Sequence, residues 1–130
     1  MSEIRATTIS DETGNGPIAL TKQSAAKVWI HIGSGGSSIG DSVNVASLVD
    51  AGTGDYTINF TNNMASSNFS ESCTITFDHT SGSNNLRNLV GEGKASSNFE
   101  VNSCYVNSSG SFISYDIETS AGTTIHGDLA

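Results

Sequence analysis

The chain has 130 residues, enough for one domain with a single hydrophobic core and a short arm. Only 14 % of residues are charged and the formal net charge is −8, so phosphate backbones and anionic bilayers are repelled. Nucleic-acid binding and membrane docking are therefore not expected, and a composition dominated by Gly, Ser, Thr and Asn argues against long helices.

Residues 1–24 read as an N-terminal arm. Thr7-Thr8-Ile9 can form a short strand, Gly14-Asn15-Gly16-Pro17 is a turn holding the chain's one proline, and Ile18 and Leu20 alternate. The segment fits either the first strands of the domain or an attachment arm, with Ile4, Thr8, Ile9, Ile18 and Leu20 as its docking residues. Met1-Ser2-Glu3-Ile4-Arg5 does not open a signal-peptide pattern, and no apolar run approaches the roughly 18–20 residues that span a bilayer. Synthesis and assembly in a cytoplasm, without membrane insertion, are expected.

Residues 25–130 alternate strand and turn. Val28, Ile30 and Ile32 share one face with Trp29 and His31 opposite, the pattern of a strand covered on both sides, so the Trp29 ring is expected in the core. A glycine-serine break leads to Ser42-Val43-Asn44-Val45. The Gly52-Thr53-Gly54-Asp55 turn then sends Tyr56, Ile58 and Phe60 to one face and Asp55, Thr57 and Asn59 to the other.

Thr61 to Asn68 is a polar loop, Cys73-Ile75-Phe77 a strand, Ser81 to Asn85 a loop and Leu86 to Val90 a short strand. Phe99-Val101-Ser103-Tyr105, Ile113-Tyr115-Ile117 and Thr123 to His126 complete the strands. Ala65-Ser66-Ser67-Asn68-Phe69 recurs as Ala95-Ser96-Ser97-Asn98-Phe99, which predicts two equivalent loop-to-strand segments anchored by Phe69 and Phe99. Turn signals every 8–12 residues or so point to an all-β, antiparallel sandwich or jelly-roll-like domain. Two copies are too few for a solenoid.

Ala25-Ala26-Lys27-Val28-Trp29, with Ser42-Val43-Asn44-Val45-Ala46-Ser47 and Gly52-Thr53-Gly54-Asp55-Tyr56-Thr57-Ile58-Asn59-Phe60, resembles a module of phage tail fibre proteins. Arg5 to Asp11 and Gly16 to Thr21 are similar to the lead-in that often precedes it. The resemblance covers the first half of the chain well and the second half in outline. It departs at His31-Ile32 and Val43, where the family commonly has Asn-Phe and Phe. It implies a structural protein of a virus particle, homotrimeric, that contacts other virion proteins of tail or capsid.

No catalytic constellation stands out. Gly36-Ser37-Ser38-Ile39-Gly40 fits G-x-S-x-G, but a strand pattern follows where a nucleophile elbow needs a helix. Gly33-Ser34-Gly35-Gly36 lacks the last glycine of a dinucleotide loop. Asp50 and Asp55 flank a glycine turn without EF-hand spacing, and His31, His79 and His126 lie far apart. No metal, cofactor or enzymatic activity is expected. Cys73 and Cys104 are expected as buried thiols, since a cytoplasmic chain does not keep disulfides.

The reading that unites these features is a phage virion protein displayed on the particle surface. As a short tail fibre it would attach to the host, contacting surface glycan through loop residues Ser34, Ser37, Ser38, Asn62, Asn63, Asn68, Asn84 and Asn85. As a capsid decoration protein it would dock on the head shell through its arm. A lectin-like carbohydrate-binding module with no place on a virion is the reading from a different class.

Overall fold

The computed structural model describes residues 26–76 and 87–130. The arm with Ile4, Thr8, Ile9, Ile18 and Leu20, and the loop residues Asn84 and Asn85, lie outside the described residues. In chain order the strands are β1 (Val28–Ile32), β2 (Ile39–Val43), β3 (Val45–Gly52), β4 (Asp55–Phe60), β5 (Ser70–Ile75), β6 (Arg87–Lys94), β7 (Asn98–Val106), β8 (Phe112–Ser114) and β9 (Ala121–His126). They make an all-β domain of two antiparallel sheets. One has the order β2-β1-β9-β5, and the other runs β3-β4-β7-β6 with β8 also paired to β7.

The alternating runs place one apolar set from each sheet in a shared core. Val28, Ile30, Ile32 and Ile125 come from the first sheet; Tyr56, Ile58, Phe99 and Val101 come from the second, and all are buried. Two of the second sheet's core pairs sit opposite one another across the ladder, Tyr56 on Val101 and Ile58 on Phe99. The repeated Ala-Ser-Ser-Asn-Phe segments do meet. Phe69 packs edge-on to Phe99 at 5.9 Å between centroids, and the Met64 N–H donates to the Ser96 carbonyl at 2.8 Å.

The sheets are joined differently on their two flanks. On one flank a single extended stretch passes from β2 to β3 by turning at Asn44, which has φ +60°. Asparagine tolerates this left-handed conformation better than most residues. Its Oδ1 accepts the Asn62 N–H at 2.7 Å and the Asn62 Nδ2 at 3.1 Å, while its own Nδ2 donates to the Asn62 carbonyl at 3.0 Å. On the other flank Lys94 of β6 bonds Glu71 of β5 at 2.5 Å, and its Nζ also donates to the Phe69 carbonyl at 3.1 Å.

The structure corrects several expectations. Trp29 is half-buried on the outer face of the first sheet and His31 is exposed, so β1 is covered fully on one side only. The Ser42–Val45 run is two strand ends in different sheets rather than one strand. β6 extends to Lys94, past the glycines that hid it from a pattern reading; a bulge between Gly91 and Gly93 accommodates them. β8 ends at Ser114: the Tyr115 N–H still bonds the Ser103 carbonyl of β7, after which the Ile117 N–H goes to the Tyr56 hydroxyl in place of a further rung.

Replacing Asn44 by Ala removes three side-chain hydrogen bonds and forces a β-carbon-bearing residue without local polar support to keep φ +60°. Urea denaturation should show a loss of about 1–3 kcal/mol. A loss below about 0.5 kcal/mol would mean that the ladders alone hold the bend.

Candidate functional site

The strand directions give the domain two unlike ends. At the Tyr56 end lie the 33–38 loop, the turn at Gly54, the 107–111 loop after β7, and residues 115–120 before β9. At the opposite, Met64 end lie the bend at Asn44, residues 61–69, residues 95–97 and the last residues of the chain. There the Ala65 N–H donates to the Asp128 carbonyl and the Ala130 N–H to the Asn63 carbonyl. Ala26 also lies at this end, since Lys27 bonds the Ile125 carbonyl.

The Tyr56 end is built from the core outward. Tyr56 is buried, and its hydroxyl accepts the Ile117 N–H at 3.0 Å. Burial pushes the Tyr56 phenol above its ordinary pKa, and the Ile117 bond offsets this only in part. Gly36, at φ +69°, lies directly over the hydroxyl; a β-carbon there would stand 2.3 Å from it. Ser34 Oγ donates to the Glu118 carbonyl at 2.6 Å, so the 33–38 loop is tied to residues 115–120. Arg87 stacks 3.9 Å from the Tyr115 ring centroid and pairs with Glu118 at 3.4 Å, with Tyr105 edge-on to Tyr115 at 6.2 Å. A hydrogen bond to Glu118 raises the Tyr115 phenol pKa, which the Arg87 charge counteracts.

This geometry separates the candidate loop residues. Ser34, Ser37 and Ser38 are exposed at the Tyr56 end. Asn62, Asn63 and Asn68 lie at the Met64 end, where Asn62 is locked to Asn44, Asn63 holds Ala130 and the Asn68 N–H donates to Ser66 Oγ at 3.1 Å. The described loop residues therefore do not form one contact surface. The Gly36-Ser37-Ser38-Ile39-Gly40 run lies in the hairpin between β1 and β2, closed by Gly33 N–H to the Ser38 carbonyl at 2.9 Å. Asp50 Oδ1 accepts the Gly52 N–H and Asp55 Oδ1 accepts from Asn102, so each of those carboxylates has a local structural partner.

Three further features are grouped by the fold. On the outer face of the second sheet a cavity of about 260 Å³ is bordered by Asp55, Glu92 and Glu100. A hydrogen bond to Asp55, then that carboxylate's charge, raises the Glu92 pKa. Beyond it on the same sheet, Val90, Cys104 and Phe112 border a cavity of about 400 Å³. Burial pushes up the Cys104 thiol pKa, and burial likewise dominates at Cys73, on the inner side of the first sheet; both thiols are poor nucleophiles at neutral pH. On the outer face of the first sheet, Trp29 borders a shallow groove of about 190 Å³ with Ser72, Thr74, Gly122 and Thr124.

Sequence reasoning missed the Arg87–Tyr115–Glu118 cluster and the Trp29 groove. Arg87 shares the phase of buried Leu89 along β6, a signal that its charge is covered rather than solvated. The groove leaves no such signal, because it depends on β5 and β9 pairing around a glycine. Searches against protein-family models, curated proteins and solved structures find no match to this chain.

The Glu92–Asp55 contact sets a pH dependence. A carboxyl whose folded pKa lies above its ordinary 4.5 binds its proton more tightly when folded, so its contribution falls as pH rises through that window. Glu92→Gln should melt higher than the parent at about pH 7, and the gap should close near pH 3.5 and shrink in high salt. Equal melting temperatures at neutral pH would show that the Glu92 charge does not oppose folding.

Proposed function

We propose that the chain is a bacteriophage virion structural protein displayed on the particle surface, and that it serves as a homotrimeric tail-fibre module for host attachment. The observation that carries this reading is the polarity of the domain. Ala26 and Ala130 lie at the Met64 end, while the 33–38, 107–111 and 115–120 loops project from the other. Such a domain can be mounted by one end and present the other. In this reading the two sheets are a β-sandwich, residues 1–24 attach it to other virion proteins, and host surface glycan is the external partner.

Self-association is supported by the flank at Asn44. β2 and β3 are outer strands, and Ile39, Val43 and Val49 on them are more than a third exposed. Eight-residue β3 carries Asp50 as its one charge, and neither strand has lysine or proline. Bulges interrupt β3 between Val45 and Ser47 and between Asp50 and Gly52, and the stretch between them presents backbone N–H and C=O groups suited to pairing with copies of the same chain. Both strands also carry little charge for a chain of net −8, so copies meeting there face limited repulsion.

Immunogold electron microscopy of intact phage, combined with sedimentation equilibrium of the isolated chain, tests the reading. Label at the tail and a trimer mass are expected. Label spread over the head would replace the fibre role with capsid decoration. Unlabelled particles would remove both virion roles, and a monomer mass at every concentration would remove the trimer.

A further inference from the structure

We propose that the outer face of the first sheet binds a neutral sugar ring, with Trp29 as its stacking platform. The inference rests on the attachment reading above and moves its glycan contact from the loops to a sheet face. The pairing of three strands builds the site: Trp29 of β1 lies opposite Thr124 of β9, which lies opposite Ser72 of β5. In the next row His31 lies opposite Gly122, which lies opposite Thr74. Side chains that face one another across a ladder point to the same side, so hydroxyls and one half-buried indole share this surface. Gly122, without a side chain, leaves the recess beside the ring.

The lining selects the occupant. No charged residue borders the groove, which gives no counter-charge to a phosphate, a carboxylate or an acidic peptide. An apolar surface of another chain would strip water from Ser72 and Thr124, whose hydroxyls have no hydrogen-bond partner among the described residues. A further strand cannot add here either, because β1 and β9 are already paired on both edges. A pyranose satisfies every element. Its C–H face packs on the electron-rich indole face, and its equatorial hydroxyls reach Ser72, Thr74 and Thr124.

Trp29 is the chain's single tryptophan, so its emission reports on this groove alone. The test titrates the full chain with neutral oligosaccharides built from glucose, galactose, mannose and N-acetylglucosamine. A saturable shift in emission is expected with at least one of them. A β-carbon at Gly122 would stand 3.4 Å from the Ile30 carbonyl and 3.5 Å from Thr74 Oγ1, and no positive φ is required there, so Gly122→Val should fold while filling the recess. It should weaken binding at least tenfold. Trp29→Ala, read by calorimetry after its melt is checked, should abolish binding, whereas joint replacement of Ser34, Ser37 and Ser38 by Ala should leave it unchanged.

The inference is overturned by no response to any sugar of the panel, by unaltered affinity in Gly122→Val, or by emission that shifts with protein concentration instead of sugar, which would show a second copy on the groove. Loss of binding in the triple serine variant alone would return glycan contact to the loops and keep the attachment reading. Sugar binding by a chain that labels no particle would keep the groove and remove the virion role.

Discussion

The Tyr56 phenol ring lies between the sheets, yet its hydroxyl ends at the backbone of a loop, accepting the Ile117 N–H at 3.0 Å. The Ile117 side chain is itself part of the core, so its backbone and its side chain both fasten this connection to the sheets. The ring packs with the apolar residues, the hydroxyl removes the cost of burying an unpaired Ile117 amide, and the Gly36 backbone closes over the top. Around this anchor the neighbouring contacts fall into order. Ser34 reaches the Glu118 carbonyl, Gly54 donates to Asp116, and Arg87 covers Tyr115. The loops at this end are an extension of the core rather than decoration on it.

The opposite end solves a different problem. One extended segment must serve two sheets, and the left-handed turn at Asn44 is where it changes from one to the other. The change leaves β2 and β3 as outer strands on the same flank, whereas the far flank is strapped by Lys94 and Glu71. The half-exposed Lys94–Glu71 pair has modest value as a surface ion pair, but it leaves the two flanks unequal. The open β2–β3 flank borders the sheet face that bears the indole, since Val43 pairs with Trp29, and the loop end tied to the core is a third surface. In the reading proposed above, mounting, self-association and presentation to a host would each draw on one of these surfaces.

Local pattern carried much of the fold and little of the site. Period-2 alternation at 28–32 and 55–60 separates the two faces of β1 and β4, and the Gly-Thr-Gly-Asp turn lies between β3 and β4 as its glycines suggest, with Gly54 at φ +76°. Alternation does not say which face is covered, so it cannot separate a core Trp29 from the half-buried Trp29 of the outer face. Gly91 and Gly93 masked the second half of β6 because a bulge, not a turn, uses them. The loop residues Ser34 and Asn62 share a composition but sit at opposite ends, a fact set by strand direction and invisible in a list of polar stretches. The groove beside Trp29 needs the register of β1, β9 and β5 together, and no single segment contains it.

Amide hydrogen exchange at Ile117, compared between the parent chain and Tyr56→Phe, tests most directly whether the core holds that end of the domain. The bond to the Tyr56 hydroxyl predicts a strongly protected Ile117 amide in the parent. Removing the hydroxyl should lower its opening free energy by about 1–3 kcal/mol and speed exchange across 33–38 and 115–120, with β1 and β9 little affected. Rapid exchange at Ile117 in the parent chain, or equal protection in both, would contradict the account.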